Sequence, residues 1–220
     1  MTHTVHPYSH RLGILRDWKS RWFSPKGKYK YALRGDILIR EYLEKKLKGS
    51  FVALIEIERS EKALRVIISS SRPGMIIGRQ GDGAELLRKE IKALLQKNKL
   101  LEEKVDVKLD IKEVKSAESN ATIVAQMVVE GFEKRLPVRR VVKQMLEKVM
   151  ANRDVLGVKI AYSGMVGGGM ARTEVYKKGR IPLQTLRADV DYAVDRARFP
   201  LGAVGVKVWI YKGDIFEKDK

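Results

Sequence analysis

The 220-residue sequence predicts an α+β protein of two folded units. The first has the element order αββααβ. The second is a two-layer α/β unit with two helices and a small sheet. Three observations carry this. Period-2 and period-3.6 apolar patterns succeed one another through residues 36–114, in the order helix, strand, strand, helix, helix, strand. A glycine-bounded turn joins the two helical segments inside that stretch. Two amphipathic helical segments and then three strand patterns fill residues 118–213.

Each element has a local reason. Residues 1–35 show little periodicity and are rich in Arg, Lys, Trp and Tyr, which predicts a basic arm separate from both units. "DILIREYLEKKL" (36–47) opens on Asp36, a suitable helix N-cap, and Ile37, Tyr42 or Leu43, and Leu47 supply an apolar stripe. "FVALIEIE" (51–58) and "ALRVIISS" (63–70) are β-branched runs about a polar turn and predict a hairpin. "PGMIIG" predicts one helical turn. A longer helix follows from Asp82 to about Asn98, with Ala84, Leu87, Ile91, Leu94 and Leu95 as its buried stripe. "VDVKLDIKEV" alternates strictly, placing Val105, Val107, Leu109 and Ile111 on one face of a strand. The boundary to the second unit falls at 116/117. Helices are expected at 118–136 and 137–152, with Pro137 in a first turn where its missing N–H costs nothing. Strands are expected at 157–164, 170–179 and 203–213. Deleting the arm should leave both units folded.

Composition limits the function classes. There are no cysteines, which excludes disulfides, thiolate metal sites and cysteine nucleophiles. No apolar run is long enough to span a bilayer, and the first residues lack the pattern of a signal peptide, so a cytoplasmic protein is expected. Lys and Arg number 45 against 27 acidic residues, a net charge of +18. Self-repulsion of that size points to a polyanionic partner, and the surplus recurs in segments that also show folding patterns. Residues 1–50 alone carry 12 basic and 4 acidic residues.

The glycine turn Gly78-Arg79-Gln80-Gly81 is a candidate clamp for a nucleic-acid backbone. Glycine permits a tight turn and close approach, the following helix aims free N–H groups at an anion, and Arg79 adds charge. The same spacing recurs at Gly164/Gly167 and Gly202/Gly205, but only the first lies between two helices. On a helix over 137–152, Val138, Val141, Val142, Met145, Leu146 and Val149 form one face, and Arg139, Arg140 and Lys143 the other, with Arg135 just before. Spacing alone leaves this basic face open between an RNA contact and an ordinary solvated surface. In the arm, Trp18, Arg21, Trp22 and Phe23 interleave rings and cations as a stacking surface would, or the rings dock the arm on its own domain. His3, His6 and His10 have no acidic or thiol partner nearby to make a metal site. Asp189, Asp191 and Asp195 are expected to pair with Arg187, Arg196 and Arg198. No phosphate-binding loop with its lysine exists, so an NTPase is not indicated. No cofactor and no catalytic constellation are expected.

The order and turn over residues 36–114 resemble a type-II KH domain, which binds single-stranded nucleic acid through such a loop. Over nearly the whole chain, "VHPYSHRLGILRDWKSRWF", "RPGMIIGRQG", "ARTEVYKKGRIPLQTLRADVDYA" and "GVKVWIYKG" resemble the ribosomal protein S three family of the bacterial small subunit. That resemblance implies a non-enzymatic constituent of the subunit head that binds small-subunit rRNA. It also implies contact with messenger RNA where the strand enters, through Arg139, Arg140 and Lys143, with Arg135 beside them. By the same resemblance Arg11, Arg16, Trp18, Lys19, Arg21, Trp22, Arg172, Lys177 and Arg180 are expected at rRNA. The implied protein neighbours are the head proteins S ten and S fourteen, and S two; no membrane contact is implied. A free-standing KH regulator of single-stranded RNA is the alternative.

Overall fold

A computed structural model of the chain describes residues 5–60, 63–98, 100, 105–166, 169–199 and 202–216. Its contacts divide into two compact units. One is Trp18–Lys115; the other joins Met1–Asp17 to Ser116–Lys220. Residues 1–35 therefore do not form one separate arm, and each part supplies groups that its unit needs.

In the first unit the elements are β1 (Ser20–Arg21), α2 (Lys26–Lys46), β2 (Val52–Arg59), β3 (Ala63–Ser70), α3 (Pro73–Ile77), α4 (Asp82–Lys97) and β4 (Asp106–Glu113). The label α1 belongs to the short helix Pro7–His10 of the other unit. The sheet order is β1-β2-β3-β4, with β2 and β3 antiparallel and β4 parallel to β3. This is the αββααβ order that the sequence predicts, with one edge strand added by the arm. Ile39, Leu43 and Leu47 of α2 and Leu87, Ile91 and Leu95 of α4 pack on Ile55, Ile57, Leu64, Val66, Ile68 and Val107. Both helices thus cover one face of the sheet.

The helix α2 starts ten residues earlier than the periodicity indicates. Asp36 is not an N-cap; it lies buried in the helix interior. Its carboxylate accepts Trp22 Nε1–H at 2.7 Å and Arg59 Nε–H at 2.8 Å, with Arg59 Nη2 at 2.6 Å. Gly35 sits beside this group because a Cβ there would lie 2.8 Å from Arg59 Nη2. A glycine inside a helix normally weakens it, and here the close approach of the guanidinium explains it. Trp22 is thus a dock for its own domain, not a free stacking platform.

The second unit holds α1, α5 (Ala121–Glu133), α6 (Val138–Met150), β5 (Gly157–Gly164), β6 (Arg172–Gly179), β7 (Ala188–Phe199) and β8 (Gly202–Asp214). The sheet order is β6-β5-β8-β7, all antiparallel. Helices α5 and α6 pack on one face through Val128, Phe132, Val142 and Val149, against Val158, Ile160, Val206 and Val208. The strand β7 was not expected. Its inward residues Ala193 and Ala197 are too small to give a strong apolar alternation. Asp189 and Asp191 of this strand do not pair with the neighbouring arginines as expected. Asp189 binds Arg16 at 2.6 Å, Asp191 accepts the first N–H of α5 from Ala121 at 2.9 Å, and Arg187 reaches Asp214 instead. The glycine cluster at 164–169, expected as a hairpin tip, includes residues 167–168, which lie outside the described residues, as does His3.

Candidate nucleic-acid interface

The turn from α3 into α4 needs its glycines. Gly78 has φ +73° and Gly81 has φ +92°, and Gln80 between them takes φ +54°. This places a non-glycine residue in the left-handed region, which is tolerated in a tight turn but strained. Gly83 was not singled out in the sequence, yet a Cβ there would lie 2.7 Å from Ile76 O and 2.9 Å from Ile77 O. It lets the first turn of α4 close on α3. Arg79 and Gln80 are exposed at the tip, and among the described residues no carboxylate pairs with Arg79. Met75, Ile77 and Leu86 stand exposed beside the turn. An exposed glycine turn flanked by apolar side chains has the chemistry to take a strand whose bases are unstacked. Sequence periodicity could not find these three, because an exposed apolar residue next to a buried stripe reads as part of it.

Helix α6 has the amphipathic form that the sequence predicts. Val138, Val141, Val142, Met145, Leu146 and Val149 are buried, and Arg139, Arg140 and Lys143 are exposed. Arg135 precedes it with φ +58° and is also exposed. Arg139, Arg140 and Lys143 are not equivalent. Arg139 makes a forked pair with Glu174 of β6, Nη2 to Oε1 at 2.6 Å and Nε to Oε2 at 3.2 Å. The Glu174 carboxylate also accepts from the Tyr162 and Tyr176 hydroxyls. Arg139 first, then the two hydroxyls, pull the Glu174 carboxyl down to about 2. Glu174 raises Arg139 in turn, and burial followed by the Glu174 hydrogen bond raises Tyr162. Because the carboxyl is depressed, the pair is complete above the ordinary value of 4.5 and opens only as pH falls toward about 2. Arg140 and Lys143 have no ion pair among the described residues. Of the three cations on this face, those two therefore carry the uncompensated charge.

The N-terminal residues divide between structural and surface roles. Arg11, expected at rRNA, is fully buried. Its Nε donates to Ala188 O at 2.6 Å, Nη1 to Pro7 O at 3.0 Å, and Nη2 faces the carbonyls of Pro182, Leu183 and Thr185 at 2.9–3.3 Å. Burial lowers its pKa and Asp189 opposes that shift. With each guanidinium nitrogen bonded to a carbonyl and the side chain fully buried, Arg11 anchors the N-terminal segment and is not available to a phosphate. Arg16 is likewise paired, with Asp189. Arg21 bridges Glu56 and Glu58 at 3.2 and 2.9 Å across the β1–β2 edge. The Lys19 carbonyl is held by Ile57 N–H and by Arg40. Trp18 is 62% exposed. Arg172, Lys177 and Arg180 are exposed on or next to β6.

Known proteins resemble this chain along its full length. A family model described as "KH domain" matches residues 38–119, and one described as "Ribosomal protein S3, C-terminal domain" matches residues 128–210. The small ribosomal subunit protein uS3 of Caldicellulosiruptor bescii is 45% identical over 216 residues, covering 98% of this chain and 94% of that protein. The uS3 of Clostridium tetani is 41% identical over 221 residues, covering 100% and 96%. That of Parvibaculum lavamentivorans is 44% identical over 220 residues, covering 100% and 89%. With each unit matched by its own family model and full-length relatives at 41–45% identity, the chain belongs to the small ribosomal subunit protein uS3 family.

Proposed function

We propose that this protein, as a structural and rRNA-binding constituent of the small ribosomal subunit, also grips messenger RNA as it enters, through the exposed face of α6. The observation that carries this reading is where the charge sits. Arg139 and Arg140 occupy the first turn of α6, with no acidic residue there. The helix dipole makes that end electropositive, so cations there are unfavourable by roughly 0.3–1 kcal/mol each. A passing phosphate would relieve both the dipole and the side-chain charges. The fork to Glu174 holds Arg139 against β6, leaving Arg140 and Lys143 as the exposed, unpaired grip among the described residues. On this reading the glycine turn at Gly78–Gly81 clamps an RNA backbone, and the neighbours in the subunit head are S ten and S fourteen, with S two nearby.

The test is the salt dependence of binding to an unstructured RNA oligonucleotide. Changing Arg140 and Lys143 to Ala keeps the apolar stripe, and alanine favours helix. Each lost phosphate contact removes about 0.7 from the slope of log K against log salt, so the slope should flatten by about 1.4. An unchanged slope would show that neither residue meets a phosphate.

A further inference from the structure

Glu174 stands on β6, the edge strand of its sheet, on the side that meets α6. Tyr162, its cross-strand partner on β5, is buried, and the fully buried Phe132 fixes its ring edge-on at 5.9 Å. Tyr176, two residues further along β6, stacks on Tyr162 at 6.3 Å. Both hydroxyls donate to Oε2 of Glu174, that of Tyr176 at 2.9 Å. The carboxylate therefore rests in a cradle built on the core, and its position does not depend on Arg139. The other oxygen, Oε1, accepts from Arg139 Nη2 at 2.6 Å. Of the two side chains Arg139 is the outer one, 67% exposed against 23% for Glu174. A fixed counter-ion thus holds one of the three cations on the α6 face, while Arg140 and Lys143 have no ion pair among the described residues.

We infer that Glu174 is a positioning residue of the messenger grip: it withholds the Arg139 guanidinium from passing phosphates, which leaves the entering strand free to advance. This rests on the proposed contact between the α6 face and messenger RNA. A guanidinium fork fits a carboxylate and a phosphate alike, so the two compete for the same donors. The carboxylate is already oriented by its cradle, whereas a phosphate on a moving strand must first be ordered. Arg139 and the two hydroxyls hold the Glu174 carboxyl down at about 2, so the competitor stays ionised throughout the neutral range. The hydroxyls alone do not require a carboxylate, because an amide oxygen accepts from them as well. What only a carboxylate supplies is counter-charge to Arg139, in a first turn with two cations and no acid of its own. Each further phosphate contact makes binding tighter and more salt-dependent. Withholding one cation therefore speeds release while Arg140 and Lys143 still hold.

The experiment is a cycle of full-length variants, Glu174→Gln, Arg139→Ala and the two together, each binding an unstructured RNA oligonucleotide. Glu174→Gln keeps the shape and the tyrosine hydrogen bonds but frees Arg139. The slope of log K against log salt should steepen by about 0.7, the value of one more single-strand contact, and the oligonucleotide should leave more slowly. Arg139→Ala alone should leave the slope unchanged, and in the double variant the steepening should vanish. If Glu174 only ties β6 to α6, Glu174→Gln lowers the melting temperature and leaves the slope as it was, which overturns the inference. Arg139→Ala sits on an exposed helical face where alanine is well tolerated, so it reports even if Glu174→Gln folds poorly. A flattening of about 0.7 in that variant alone would show that Arg139 already meets a phosphate, and also overturns the inference. Changing Arg140 and Lys143 to Ala separates this role from the grip itself. An unchanged slope there brings down the grip and the withholding role together. A flattened slope there with no response to Glu174→Gln brings down the withholding role alone.

Discussion

Arg11→Ala should destabilise the unit formed by Met1–Asp17 and Ser116–Lys220 by roughly 2–5 kcal/mol, at about 1–3 kcal/mol for each of the two buried carbonyl bonds lost. The substitution leaves the carbonyls of Pro7 and Ala188, in buried bonds, and those of Pro182, Leu183 and Thr185, in partly buried ones, without their donor. Each orphaned buried acceptor is expensive, and the cavity left by the side chain adds to the loss. Arg11→Lys should rescue little, because an ammonium lacks the planar fork that spans five acceptors. Denaturant unfolding of the full-length protein resolves this if Trp18 and Trp22 are replaced by Phe, so that Trp209 alone reports the unit. A loss under about 1 kcal/mol would mean that the N-terminal segment is not anchored through Arg11.

Asp36→Ala should cost the other unit a similar amount, about 3–5 kcal/mol. Asp36 is 2% exposed and is the acceptor shared by Trp22 and Arg59. Its removal strands a largely buried guanidinium and an indole N–H at once. Asp36→Asn keeps the shape but not the charge, and should recover only part of the loss. Here Trp22 is itself the reporter: its emission should shift to the red in Asp36→Ala before global unfolding, as the ring leaves its dock beside Tyr29. If stability and emission both stay at the wild-type values, the Trp22–Asp36–Arg59 group does not hold the arm to the domain. Deleting residues 1–35 removes Arg11 from one unit and Trp22, β1 and the start of α2 from the other, so it should destabilise both.

The parts of the fold legible in the sequence are those fixed by periodic burial. The stripes of α4 and α6, the hairpin β2–β3 and the alternation of β4 all follow from one face meeting a core. The first ten residues of α2 were not legible, because Tyr29, Tyr31 and Leu33 remain exposed and no stripe marks them. Strand β7 was hidden by small inward alanines and by acidic residues whose partners lie far along the chain. The site shows the same division. The cationic face of α6 and the glycine turn are local patterns and could be read directly. That Arg11 is buried while Arg140 is free could not be read, since both are arginines among apolar neighbours. The difference lies in carbonyls more than 170 residues away that only the folded chain brings to Arg11. The fork between Arg139 and Glu174 is hidden for the same reason: it joins a helix to a strand 35 residues further on.

The central claim is that the exposed face of α6 acts on entering messenger RNA. Changing Arg139, Arg140 and Lys143 to Ala tests it without orphaning Glu174, which keeps the hydroxyls of Tyr162 and Tyr176. The measurement is the rate of translation by subunits carrying this variant, on messengers with and without a stable hairpin just downstream. The account predicts normal assembly, near-normal translation of the unstructured messenger and a slowed passage through the hairpin, because the charges that hold or destabilise the entering strand are gone. Equal slowing of both messengers, slowing of neither, or absence of the variant from assembled subunits would contradict it.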